Sequence, residues 1–210
     1  MPDRAVLFID GSNWYHGLKQ AGVTDLRRLD YAKVSQKLAG PRMWHGTRYY
    51  IGQVPQAGNL RLYADQRSFL ARLKSTDARI SIHLGRIEER RGRNEAAAEL
   101  LQYLSGLATR IDTAVFQQLV ALGRRHHSAP VLVEKGVDVM LAVDLVVMAQ
   151  RDELDTAYLL SADGDYTHAA ETARGFGKKV FAASATTGAQ LGRAVDAFIR
   201  LDSAWFTDCY

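Results

Sequence analysis

The chain has 210 residues, 47% of them hydrophobic, with a formal charge of +4 and a pI of about 9.2. That length fits one α/β domain with an insertion better than two full domains. The single cysteine, Cys209, excludes a disulfide framework and a thiolate metal cage, and the modest basicity permits a nucleic-acid partner without demanding one. No stretch approaches a membrane span. Met1-Pro2-Asp3-Arg4 leads straight into an apolar run without the h-region of a signal peptide. The expectation is a cytoplasmic protein with no membrane partner.

In chain order, residues 4–9 read as a strand, and 13–21 and 31–38 as helices. Residues 46–54 (GTRYYIGQV) are strand-like, 55–58 form a turn, and 60–73 carry apolar residues at helical spacing. Residues 78–86 alternate through Ile80, Ile82 and Leu84, a strand pattern. Residues 94–125 differ in kind: an Ala- and Leu-rich helical stretch that breaks the alternation of strand and helix. A short extended run at 130–134 and a strongly apolar helix at 137–150 follow. Then come a strand at 157–161, a helix at 166–176, a strand at 179–183, a short helix at 188–194, and a last strand or extended tail at 197–201. Alternating strands and helices predict a three-layer α/β fold with a mostly parallel sheet. One domain over 1–210 with a helical insertion at about 94–127 accommodates the helical block.

The chemistry concentrates in carboxylates. Val6-Leu7-Phe8-Ile9-Asp10-Gly11 and Tyr158-Leu159-Leu160-Ser161-Ala162-Asp163-Gly164 are apolar runs that stop at an Asp followed by Gly. Buried parallel strands with acidic C-terminal tips read this way. If the two strands are neighbours at the switch point of the sheet, Asp10 and Asp163 converge where ligands bind in open α/β folds. Asp138 sits at the start of the 137–150 helix and can face the same crevice. Asp144 follows six residues later, roughly 600° of helical rotation, so it lies on a different stripe. As an acid inside an apolar helix it needs a cation, a donor or a metal. Asp165 can cap backbone N–H groups or support the site. Asn13 can position a phosphate or a water, and Ser161 can donate to a site carboxylate. Clustered carboxylates favour a hard cation, Mg²⁺ or Mn²⁺, over Zn²⁺, and such a site can activate a nucleophile for phosphodiester hydrolysis.

Three segments, VLFIDGSNWYHGL, EKGVDVMLAVDLVVMAQ and AYLLSADGDYTHAAETARGFGKKVFAAS, resemble in this order the NYN domain family of PIN-like nucleases, most of all its bacterial LabA-like branch. The resemblance covers residues 4–20 and 131–201, is loose over 25–90 and is absent over 94–127. It implies a PIN-like three-layer sandwich and a metal-dependent ribonuclease acting on RNA, with single strands the expected form. Asp10, Asp138, Asp144 and Asp163 match the family's acidic positions and are the implied metal ligands. Asn13 matches the Asn of Asp-x-x-Asn, and Asp165 the second Asp of Ser-Gly-Asp-x-Asp. Ala162 stands where the family usually has Gly, and Tyr166 where it usually has Phe.

Other features have bland and sharp readings. Trp14, Tyr15 and His16 either pack on the sheet or stack on a base. The cluster from Arg86 to Arg93 is a solvated loop or a contact to an RNA backbone. Lys135 can hold a phosphate or pair with an acid. Arg124-Arg125-His126-His127 lacks the ligand spacing of a zinc site. The rival function is a non-catalytic RNA- or protein-binding module, with the insertion as a candidate surface for homo-oligomers. A phosphatase of the haloacid-dehalogenase type needs Asp-x-Asp in its first strand, and Ser12 takes the second position.

Overall fold

The computed structural model describes residues 3–57, 59–90, 94–127 and 131–210. Seven strands form one sheet: β1 (Arg4–Asp10), β2 (Met43–Gln53), β3 (Ile80–Arg90), β4 (Val131–Lys135), β5 (Thr156–Leu160), β6 (Lys179–Ser184) and β7 (Ala197–Arg200). Their order is β4-β3-β2-β1-β5-β6-β7. The described pairings of β1 with β2 and β5, of β2 with β3, and of β6 with β5 and β7 are all parallel. The chain leaves β1 in one direction for β2 and returns to its other edge with β5. The predicted adjacency of the Asp10 and Asp163 strands is therefore found, and β1 lies at the switch point.

Contact density divides the chain into two units, 1–86 with 135–210, and 87–134. In the larger unit, β1 is apolar from Ala5 to Ile9 because both of its faces are covered. Ala5, Leu7 and Ile9 join one core with Trp14 and Leu18 of α1 (Gly11–Gln20) and Val34 of α2 (Tyr31–Ala39). Leu73 of α3 (Leu60–Thr76) belongs to the same core. Val6 and Phe8 join the opposite core with α6 (Val137–Gln150) and α7 (Thr167–Gly175). This alternation makes a three-layer α/β sandwich, with period 2 hidden inside a continuous apolar run.

α6 buries Val137, Leu141, Leu145 and Ala149, a stripe with one residue every four positions. It starts at Gly136, whose φ of 80° lies in the left-handed region, where a Cβ would be strained. The helix expected at 166–176 begins instead with a 3-10 turn at Gly164–Tyr166. The short helix expected at 188–194 is α8 (Leu191–Ala194), and the last strand is present as β7. A C-terminal 3-10 turn at Ser203–Phe206 went unforeseen; it buries Phe206 against Trp14 at 5.9 Å between ring centroids.

The smaller unit contains α4 (Glu95–Ser105) and α5 (Thr113–His127). Asn94 caps α4 by accepting from the Ala97 N–H at 3.1 Å. The basic cluster Arg124-Arg125-His126-His127 forms the last turn of α5, where positive charge complements the helix dipole. In the Arg86–Arg93 cluster, Arg91, Gly92 and Arg93 lie outside the described residues, as do Gly58 of the 55–58 turn and Pro130 of the 130–134 run.

Gly11 begins α1 with negative φ, so its role is close approach rather than backbone freedom. A Cβ there would meet Tyr49 Cε1 at 2.7 Å and the Tyr50 carbonyl oxygen at 2.8 Å. Gly11→Ala is expected to destabilise the fold by about 1–3 kcal/mol through overpacking, read as a lower urea midpoint with an unchanged slope.

Candidate functional site

Asp10 ends β1 and is buried, 3% exposed. Burying a carboxylate is costly unless donors answer it. Asp10 Oδ1 accepts from the Asn13 N–H at 3.1 Å, which makes it the N-cap of α1. Asp10 Oδ2 accepts from Ser161 Oγ at 3.3 Å and lies 3.1 Å from Tyr166 Oη. The expected donation from Ser161 is thus present. The Asp163 N–H donates to Ser161 Oγ at 3.1 Å, continuing the chain of bonds. Asn13 Oδ1 accepts from the Ala162 N–H at 3.0 Å, tying the start of α1 to the segment beyond β5. Its side-chain oxygen thus braces the crevice rather than reaching into it.

Asp138, in the first turn of α6, reaches the same place from the other layer. Its Oδ1 lies 2.9 Å from Tyr166 Oη. Asp10 and Asp138 therefore meet at one phenol. Burial pushes the Tyr166 phenol pKa far above its ordinary value, and the charges of Asp10 and Asp138 push it the same way. The hydroxyl stays protonated, and its one proton faces two carboxylate oxygens.

Asp163 caps the 3-10 turn, accepting from the Asp165 N–H at 3.0 Å. The capping role considered for Asp165 belongs to Asp163, and the Asp165 side chain is exposed.

Asp144 is engaged elsewhere. Its Oδ2 accepts from Arg48 at 2.7 Å and from Tyr50 Oη at 2.8 Å, and Arg48 Nε donates to Tyr50 Oη at 2.8 Å. The three side chains close a ring of hydrogen bonds between β2 and α6. The His83 ring stacks on Tyr50 at 4.7 Å between centroids and donates or accepts at Ser81 Oγ, 3.0 Å away. Burial raises the Asp144 pKa, but Arg48 and Tyr50 outweigh it and hold the carboxyl below its ordinary value. Burial, with the charge of Arg48, lowers that of His83. Asp144, one of the four expected metal ligands, has an ion-pair partner in Arg48. Arg48 was missed, because no sequence pattern links positions so far apart.

Among the described residues, no group of three or more His, Cys, Asp or Glu side chains is close enough to hold a metal ion. Asp10 and Asp138 both reach the Tyr166 hydroxyl. Two carboxylates still fit a Mg²⁺-like ion, which commonly uses one or two protein carboxylates with waters and substrate oxygens. The single phenol proton between them supports that fit, because acceptors outnumber donors at Oη.

Of the aromatics after the first motif, Trp14 is buried at 1% exposure and belongs to the core, whereas Tyr15 is 47% exposed and His16 packs edge-on against it. Lys135 ends β4 one residue before Gly136. No described helix is long and apolar enough to cross a membrane.

The family model of the NYN domain matches residues 103–202. No curated protein matches the chain. Among solved structures, a protein of unknown function from Vibrio parahaemolyticus is similar over 96% of this chain and 94% of its own, with 16% sequence identity and a TM-score of 0.57. At that identity the likeness shows the fold.

Removing Arg48 leaves Asp144 part-buried beside one donor fewer. Arg48→Leu is expected to cost about 1–3 kcal/mol in chemical denaturation. Because the folded Asp144 pKa is depressed, its contribution is present above the unfolded carboxylate value of about 4 and fades as pH falls below it. Asp144→Asn should flatten the stability–pH curve in that acid range, and an unchanged curve would show that other carboxylates govern it.

Proposed function

We propose that this chain, whose residues 103–202 match the NYN domain model, is an NYN-domain protein and a Mg²⁺- or Mn²⁺-dependent ribonuclease of the LabA-like branch. The family carries the nuclease-like fold. The observation that supports hydrolysis here is the convergence of Asp10 and Asp138 on one hydroxyl at the tip of the central strand. In this reading the whole chain is one NYN domain, and residues 94–127 are its insertion.

Asp10 and Asp138 hold the cation, and Asp163 lines the rim next to them. Asn13 and Ser161 fix the backbone and carboxylate positions through their bonds to Ala162 and Asp10. Asp144 anchors α6 to β2 through Arg48, and Asp165 remains on the exposed side. The chemistry gained on metal binding is neutralisation of phosphate charge and activation of a water for attack on phosphorus. Single-stranded RNA is the expected substrate form, and exposed Tyr15 is available for stacking on a base. The formal charge of +4 favours a polyanionic partner, and the free Cys209 accords with a cytoplasmic setting.

The test is cleavage of labelled single-stranded RNA with Mn²⁺ or Mg²⁺, with and without chelator, beside Asp10→Asn and Asp138→Asn. Asparagine preserves the N-cap of α1, so the fold survives while the charge is lost. Each variant should lose about 100-fold or more of the activity, and chelation should abolish it. Cleavage that survives both substitutions sinks the assignment. RNA binding without cleavage under any metal establishes the non-catalytic module instead.

A further inference from the structure

The metal-site reading leaves one group unexplained. Tyr166 places a hydroxyl, rather than a bare ring edge, between the two converging acids. A phenylalanine would fill the same buried space, since Tyr166 is 0% exposed and packs within the core beside α6. The hydroxyl is therefore not needed to complete the packing. It introduces a polar atom into a buried position, which costs stability unless its bonds return it.

Its bonds are unequal. Asp10 Oδ2 also accepts from Ser161 Oγ, and Asp10 Oδ1 from the Asn13 N–H. Asp10 is thus held by α1 and by the segment after β5 whatever Tyr166 does. Asp138 differs: it is exposed, lies in the first turn of α6, and takes from Tyr166 the side-chain hydrogen bond shown among the described residues. The Tyr166 contact with Asp138 is also the shorter, 2.9 Å against 3.1 Å. An exposed aspartate without that bond is free to turn into water.

We propose that Tyr166 is a positioning residue that orients Asp138 toward Asp10, so that the two carboxylates are presented together to one divalent cation. This inference rests on the metal-site reading above. The hydroxyl does not itself ligate the ion; it sets the rotamer of a ligand. Groups that orient ligands in this way typically govern metal affinity by 10–100-fold.

The test uses Mn²⁺ alone as the probe, with no RNA present. Bound and free Mn²⁺ are separated by the electron paramagnetic resonance signal of the free ion, for the full chain, Tyr166→Phe, Asp138→Asn and the double variant. Tyr166→Phe should weaken Mn²⁺ binding about tenfold or more, while the metal-free thermal midpoint and near-ultraviolet circular dichroism stay close to those of the unsubstituted chain. In the Asp138→Asn background the same substitution should change the affinity by less than about twofold, because the residue it orients is gone. Equal affinity of Tyr166→Phe and the unsubstituted chain overturns the proposal. So does an equal loss in both backgrounds, which would assign the effect to packing, and so does loss of the folded signal in Tyr166→Phe without metal. If the unsubstituted chain takes up no Mn²⁺, the metal-site reading fails, and this inference fails with it by a different result.

Discussion

A buried carboxylate at the tip of the central strand imposes conditions on much of the larger unit. Removing Asp10 from water costs several kcal/mol unless hydrogen-bond donors replace the water. Those donors come from α1, from the turn after β5 and from the turn that leads into α7. To supply them, α1 must begin directly after the strand and β5 must lie beside β1. The close approach of Gly11 to β2 follows from the same abrupt change of direction.

Helix α6 divides its two acids by simple rotation. Its buried stripe runs through Val137, Leu141, Leu145 and Ala149. Asp138 follows a stripe residue and Asp144 precedes one, so at about 100° per residue they leave the helix on opposite flanks. One flank faces Tyr166 and β1, and the other faces Arg48 and Tyr50 on β2. The same helix thus offers one carboxylate to the crevice and uses the other as an ion-paired bolt to the sheet. A bolt of this kind fixes the helix rotation, and with it the height of Asp138 above the strand tip.

Much of this was legible in the residues. The apolar runs ending at Asp10 and near Asp163 gave the buried strands, and the break in strand–helix alternation marked the helical block of α4 and α5. The 600° separation already put Asp144 off the stripe of Asp138, but it could not name a partner. Arg48 sits in a strand whose neighbours Tyr49 and Tyr50 dominate its pattern, and a pairing across 96 positions leaves no local trace. Tyr166 was hidden for another reason. As a replacement for Phe it reads as a conservative change, because its consequence lies in where one oxygen falls in three dimensions. The split between Trp14 in the core and Tyr15 at the surface follows from helix phase, which three adjacent aromatics do not reveal until the start of the helix is fixed.

The strand order also governs how the chain comes into being. β1 is made first, yet its neighbour β5 begins at Thr156. At ribosomal rates of about 5–20 residues per second, the two are separated by on the order of ten seconds. Throughout that interval β1 can pair with β2 on one side only, and a strand apolar from Ala5 to Ile9 shows an open row of N–H and C=O groups on the other. Such an edge is a template for any passing strand. The topology that brings distant acids together in the finished molecule therefore leaves an apolar strand edge waiting unpaired in the nascent one.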